Sequence, residues 1–245
     1  MRVVNSHFSN NVYPVNFEGA VRFKRASLFD SKKLCSFEVE HPKYNQINVT
    51  TSKEKHKKYT ISVGTVDRPR LSKEDFYIYP KHQELYGTNI KTHANYRRQS
   101  LGEISRIASI ITMLENNLNR IKIFSLGDAL VFHHKYKFEP NITERSDAIR
   151  ILRQIMQSKF KEYYDAAQMI LVKSTNLDQN YSELCTKTNE LTKQFLDDII
   201  TNKRYDNRTF EHWNLDMVLT KENVLNNKDF FNNIFKKHHI EYCIE

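Results

Sequence analysis

The sequence predicts an α/β fold: a mixed, largely antiparallel sheet with flanking helices, followed by a helical C-terminal region. Three observations carry this expectation. Short runs in the first part of the chain, such as Val21–Arg25, Cys35–Val39 and Tyr59–Val63, alternate in the manner of half-buried strands. The stretch from Tyr86 to Phe138 reads as strand, tight polar turn, amphipathic helix, strand and short second helix. No Gly occurs after Gly127 and no Pro after Pro140, so the last hundred residues or so lack the punctuation that makes turns, and long helices are expected there.

Taken in order, Met1 to about Phe17 is polar and aromatic without periodicity and reads as an irregular lead-in or a first strand. Val21–Arg25 and Cys35–Val39 are strands, with a helical turn expected in the mixed segment Ala26 to Lys33 between them. Thr51 to Lys58, TSKEKHKK, is a basic loop best read as a solvated hairpin tip. Tyr59–Val63 is a strand with Gly64 behind it, and Phe76–Tyr79 is another, ended by Pro80.

The central unit comes next. Asn89 to Thr92 forms a strand. Leu101, Ile104, Ile107, Ala108, Ile111 and Leu114 then recur at spacings of three and four, which makes one buried helical stripe. After the polar break Asn116-Asn117, Ile121–Phe124 supplies the next strand. The expected βαβ unit has a right-handed crossover, and its turn sits at the carboxyl end of the first strand.

That turn, Asn95-Tyr96-Arg97-Arg98-Gln99-Ser100-Leu101-Gly102, is suited to a pyrophosphate. The opening of a helix points several backbone N–H groups in one direction, where the helix dipole also favours an anion. Gly102 lets the backbone approach closely, and Arg97 and Arg98 supply charge-assisted donors.

These residues resemble the GCN5-related N-acetyltransferase (GNAT) superfamily, which transfers acetyl from acetyl-CoA to amines. The family's acyl-CoA motif runs Gln or Arg, two residues, Gly, one residue, Gly or Ala; Arg97, Ser100 and Gly102 stand at those positions, with Tyr96 before them. A second signature downstream is matched in spacing by Ala129, Phe132-His133, Lys135 and Lys137-Phe138. Ser100 replaces a Gly, which a helix N-terminus accommodates at negative φ, where its hydroxyl adds a phosphate contact. His133 replaces a Tyr that protonates the leaving thiolate in many members, and Lys137 replaces the Gly before Phe138.

The resemblance implies an acetyltransferase-like sheet and acetyl-CoA as cofactor. It implies that Ile90, Lys91 and Thr92 hold the pantetheine arm and polarise the thioester carbonyl through their backbone. Arg97, Arg98, Gln99, Ser100, Leu101, Gly102 and Glu103 would surround the pyrophosphate, where the acid Glu103 has to point away. His133 is the expected proton donor to the thiolate and Lys135 a contact to CoA. For the base that takes the amine's proton, Glu84 lies shortly before the central strand, where some members place a carboxylate, and His82 and His93 are nearby.

In the helical region, Ser146 is expected to cap a helix from Asp147 past Ala167, a second runs from about Tyr181 to Asn202, and a third from Thr220 to Lys237. The alternating segment His239 to Ile244 offers a last strand, which would make the helices an insertion. Residues 1–142 are thus expected to form the acyl-CoA-binding domain and residues 143–245 a helical extension or insertion, with the last strand at 239–244.

Composition sets bounds. Of 245 residues 39% are hydrophobic and 12% aromatic, which excludes wholesale disorder. A net charge of +9 points to an acidic partner: CoA, nucleic acid or an anionic surface, although no zinc finger, RNP motif or helix-turn-helix accompanies it. The three cysteines, Cys35, Cys185 and Cys243, are widely spaced without a CxxC pair, so neither a disulfide framework nor a metal site is expected. The N-terminus lacks the apolar core of a signal peptide, and no run is long enough to span a membrane. A cytoplasmic N-acetyltransferase acting on a small-molecule or protein amine by direct attack is the expectation. The alternative is a catalytically inactive CoA-binding or regulatory protein with a helical interaction module. An open sheet edge or the helical region offers a surface for a homodimer.

Overall fold

The computed structural model describes residues 21–25, 33–54, 57–127, 129–175, 181–206 and 208–245. The readings of Met1 to Phe17 and of most of Ala26 to Lys33 lie outside the described residues. The chain divides into two compact units: the described residues up to Ile121 with Thr220–Glu245, and Lys122–Leu219. Nine strands occur among the described residues, most of them in antiparallel pairs, so the α/β class is as read from the sequence.

The first unit is built on six strands, each antiparallel to the next: β1 (Val21–Arg25), β2 (Lys33–His41), β3 (Asn45–Lys53), β4 (Lys58–Gly64), β5 (Ser72–Tyr79) and β6 (Glu84–Thr92). The expected basic loop, Thr51 to Lys58, is shorter: Thr51–Lys53 end β3 and Lys58 begins β4, and residues 55 and 56 lie outside the described residues. Strand β3 is not evident in the sequence, because Ile47 and Val49 are the only large apolar residues among Asn, Gln and Thr. Both are fully buried.

Helix α1 (Leu101–Glu115) packs across β2 to β6. The sequence predicts a single apolar stripe, but every residue from Glu103 to Leu114 is buried. Much of the polar side of α1 is paired inside the fold. Arg106 Nη1 donates to Glu74 Oε1 at 3.0 Å, with both side chains almost wholly inaccessible. Ser109 and Thr112 donate back to the carbonyls of Arg106 and Ala108. The C-terminal part of this unit holds α6 (Lys221–Asn226) and α7 (Lys228–Lys237), so the expected third helix is two helices, with Thr220 accepting from the Asn223 N–H as its cap.

The second unit contains β7 (Arg120–Leu126, whose first two residues belong to the first unit), α2 (Ala129–Lys135), β8 (Glu139–Pro140), α3 (Arg145–Gln157), α4 (Tyr164–Thr175), α5 (Tyr181–Thr201) and β9 (Asn214–Thr220, whose last residue belongs to the first unit). The expected helix from Asp147 past Ala167 is broken. Ser158 Oγ donates to the Ile155 carbonyl at 2.7 Å and accepts from the Phe160 N–H at 3.2 Å, which ends α3 without Gly or Pro. Ser146 lies inside α3 rather than capping it, since Glu144 is the N-cap. The core here is aromatic: Phe195 stacks on Trp213 at 5.3 Å and meets Phe160 and Tyr163 edge-on.

The segment 239–244 forms no strand, contrary to expectation. The last strand is β9, in which Leu215, Met217 and Leu219 are buried in strict alternation. The Ile244 backbone is instead tied to the Asn232 side chain through both its N–H and its carbonyl.

Candidate functional site

Strand β6 leads into the site through an irregularity. Its register with β5 shifts between Asp75 and Phe76, pairing Asp75 with Asn89 and Phe76 with Gly87, and leaves Thr88 as the extra residue. The Thr88 hydroxyl donates to the Asp75 carbonyl at 3.0 Å. A bulge of this kind bends the strand and re-aims the residues beyond it. Here those residues are Ile90-Lys91-Thr92, paired on one edge with Glu74, Lys73 and Ser72.

The chain then turns through a 3-10 turn at Ala94–Tyr96. His93 N–H donates to the Leu71 carbonyl, and Ser72 Oγ lies 3.0 Å from Thr92 Oγ1 and 3.4 Å from Ser105 Oγ, linking β5, β6 and α1. Tyr96 accepts at its hydroxyl from Arg68 Nη1 at 2.7 Å. Gly64 lets the loop between β4 and β5, which carries Arg68, fold back on itself: a Cβ there would lie 2.1 Å from the Arg68 carbonyl oxygen.

Arg97 and Arg98 are exposed. Arg98 has φ +61° and Ser100 has φ +57°, so two non-glycine residues of the turn adopt the left-handed conformation. The expected negative φ at Ser100 is thereby corrected, and its side chain makes no capping bond to α1. Lys137, the other residue at a glycine position of the motifs, also has positive φ, at +65°. Left-handed residues beside a helix start make a concave set of N–H groups of the type that receives anions. A helix also leaves its first amides, here those of Leu101 and Gly102, without partners inside the helix.

Glu103 does not oppose an anion here. Its carboxylate is buried and accepts from Lys237 Nζ at 2.8 Å, while His238 Nε2 lies 2.6 Å from the same oxygen. An open cleft of about 630 Å³ adjoins the turn, lined by Glu40, His41, Pro42, Asn45, Ser100, Lys237, His238 and His239. Apart from Ser100, none of these residues was foreseeable as a neighbour, because each lies far from the turn in sequence.

Glu84 opens β6 and so lies at the opposite end of that strand from Thr92, about 26 Å away at the usual rise per residue. Arg120 Nε donates to its carboxylate at 2.8 Å. The residues gathered at the turn are therefore Thr92 and Arg97 to Glu103, and Glu84 is not among them.

In the second unit, His133 is buried on α2, with its ring 5.1 Å from that of Phe132 and 5.6 Å from that of Phe138. Its neighbour His134 meets Asp197 at 3.0 Å. Burial lowers the His134 pKa, Asp197 opposes this, and Lys137 and Lys193 reinforce it. Lys135 is exposed, with its ammonium 5.4 Å from the Tyr136 ring centre.

No family model matches the chain, and no curated protein matches it in sequence. Among solved structures, it is similar in part to a GNAT-family acetyltransferase from Staphylococcus aureus Mu50, at 14% identity and a TM-score of 0.33 over 37% of this chain and 57% of that one. It is similar to Tetrahymena GCN5 at 11% identity and a TM-score of 0.30, over 34% and 50%. It is also similar to the PaiA N-acetyltransferase of Thermoplasma acidophilum, solved with coenzyme A, at 11% identity and a TM-score of 0.31 over 36% and 55%. The chain spans between 50% and 57% of the length of these structures. No helix among the described residues is long and apolar enough to cross a membrane.

Proposed function

We propose that this chain is an acyl-CoA-dependent N-acetyltransferase whose turn from Arg97 to Glu103 holds the diphosphate of acetyl-CoA. The observation that carries the reading is the turn itself. Two left-handed residues, Arg98 and Ser100, precede the open first turn of α1, and the exposed Arg97 and Arg98 flank it. Gly102 adds no side chain, and Glu103, the acid in the first turn of α1, is engaged by Lys237 and His238. The residues present therefore fit a diphosphate.

Bound acetyl-CoA would supply the acetyl group. The backbone of Ile90–Thr92 orients the pantetheine arm and offers N–H groups to the carbonyl oxygen, where charge develops. The acceptor nitrogen bonds to the acetyl carbon as the carbon–sulfur bond breaks; the nitrogen releases a proton and the thiolate takes one. His133 is the proposed donor of the latter. For the former, Glu84 is the carboxylate implied by the resemblance, although Arg120 holds it at the far end of β6. Lys135 is a proposed CoA contact. Residues 1–142 carry the acyl-CoA machinery in this reading, with Lys237 and His238 supporting the turn through Glu103, and the rest of residues 143–245 serve the acceptor or a partner.

One observation favours a second reading, CoA binding without transfer: His133 is packed between the Phe132 and Phe138 rings rather than open to solvent. Calorimetric titration of acetyl-CoA into the wild type and a Gly102→Trp variant tests the shared part. Binding that is lost in a folded variant supports the site, and no binding by the wild type at low salt overturns it. An amine screen with His133→Ala as control then separates enzyme from binding protein.

A further inference from the structure

We propose that His41 and Tyr44 are positioning residues that set the affinity of the turn for a diphosphate by fixing Gln99; this rests on the turn being the diphosphate site. Gln99 lies between the two left-handed residues, Arg98 and Ser100. Its carbonyl oxygen is 2.9 Å from His41 Nε2. The Tyr44 hydroxyl donates to its side-chain Oε1, and its Nε2 donates to the Asn95 carbonyl at 3.4 Å. Backbone and side chain of one residue are thus both held, from a hairpin more than fifty residues away in sequence.

The planarity of the peptide bond gives this clamp its consequence. The Gln99 carbonyl and the Ser100 N–H share one peptide plane and point in opposite directions. Holding the oxygen on His41 therefore aims the Ser100 N–H away from the β2–β3 hairpin. Released, that peptide plane would rotate and the concave array of N–H groups would lose its direction, since positive φ at Arg98 and Ser100 is costly without support.

The donor on His41 is defined by its other nitrogen. The Lys43 N–H donates to His41 Nδ1 at 3.2 Å, so the hydrogen resides on Nε2 and the ring is neutral. The hairpin is itself tight: Tyr44 N–H bonds the His41 carbonyl at 3.1 Å, and Asn45 has φ +58°. Burial, with Tyr96 nearby, pushes the Tyr44 pKa up against the pull of Arg68, which keeps the hydroxyl protonated and donating. His41 and Tyr44 touch no reacting atom and act only through Gln99.

The test compares CoA with S-acetylpantetheine, which has no diphosphate, on the wild type, Tyr44→Phe, His41→Ala and His41→Gln. CoA affinity is read by calorimetry and S-acetylpantetheine binding by ligand-observed NMR. Tyr44→Phe and His41→Ala are expected to weaken CoA about three- to tenfold each, the value of one lost hydrogen bond, while S-acetylpantetheine binding is unchanged. His41→Gln, which keeps a donor, recovers part of the loss. Unchanged CoA affinity in both variants overturns the clamp and leaves the site intact, and equal weakening of both ligands reduces it to a structural role. Absence of CoA binding by the wild type overturns the diphosphate site itself. Tyr44→Phe removes one oxygen and keeps the ring, so the comparison survives if His41→Ala fails to fold.

Discussion

His238 Nε2 lies 2.6 Å from Glu103 Oε1, and Lys237 Nζ reaches the same oxygen at 2.8 Å. The end of α7 is thereby fastened to the first turn of α1, where a carboxylate is also favoured by the helix dipole. The two partners are unequal. His238 and Glu103 are buried, whereas the Lys237 side chain is 57% exposed and screened by solvent. Glu103→Ala is expected to cost about 1.5–3 kcal/mol, the range for a hydrogen bond to a charged group, and Lys237→Ala about 0.5 kcal/mol or less. Urea denaturation of both variants measures this; equal losses would show that the exposed lysine, not the histidine, carries the link.

Ser100 and Lys137 hold positive φ, at +57° and +65°. A left-handed non-glycine residue costs about 1–2 kcal/mol, while glycine gives back part of that through the entropy of the unfolded chain. Ser100→Gly and Lys137→Gly are therefore each expected to stabilise by about 0.5–1 kcal/mol, a rise of a few degrees in Tm. A fall in Tm would mean that the side chains contribute more than the strain removes.

Arg106 and Glu74 form the most deeply buried ion pair among the described residues. Arg106→Met leaves the carboxylate alone and is expected to cost about 3–5 kcal/mol, with much of the loss recovered when Glu74→Leu is added. Burial pushes the Glu74 pKa up even against the pull of Arg106. A raised carboxylate contributes stability below its unfolded value that is lost as pH rises, so the deficit of Arg106→Met should be smaller near pH 5 than at pH 8. Denaturation curves at the two pH values decide it; a deficit independent of pH would place the cost in packing.

Gly64 is constrained by backbone rather than by φ. An added Cβ would meet the Arg68 oxygen at 2.1 Å and the Pro69 carbonyl carbon at 2.6 Å. Neither can swing aside as a side chain would, so Gly64→Ala should displace the loop carrying Arg68 and cost about 1–3 kcal/mol. The bond from Arg68 to Tyr96 should weaken with it. A crystal structure of the variant with the loop unmoved would refute this.

Local order is legible in the sequence where one residue pattern decides it. The alternation of β2, β4 and β5 and the positions of α1, β7 and α5 come from side-chain periodicity. The turn is legible as a place, from Arg, Ser and Gly ahead of a helix. Its conformation is not, because nothing in Arg98 or Ser100 themselves favours positive φ, and the bonds from His41 and Tyr44 to Gln99 between them come from far away in the chain. The break after Gln157 carries no such signal, because a serine hydroxyl, not Gly or Pro, ends the helix. Strand β9 does alternate visibly in Leu215, Met217 and Leu219, but the lack of Gly and Pro around it favours a helical reading of the whole region. Glu103 illustrates the rest: its awkward position is evident, but Lys237 and His238 lie more than 130 residues on.

His134 makes the acid limb of stability specific. Burial lowers its pKa below the ordinary 6.5, helped by Lys137 and Lys193 and opposed by Asp197. The folded protein then binds fewer protons at this site than the unfolded chain does, so stability falls as pH drops through the unfolded value toward the folded one. This loss sets in as pH falls through the ordinary histidine value near 6.5 and continues toward the lower folded one. The carboxylates held below their ordinary values by partners, Asp198 by Tyr163 and Asp206 by Lys159, lose their contribution only at lower pH, as they take up protons. Unfolding free energy measured as pH is lowered from 7 should therefore decline in the wild type and decline less in His134→Gln. Parallel curves from pH 7 onward would show that the fold protonates His134 as readily as the unfolded chain does, with Asp197 at 3.0 Å outweighing burial.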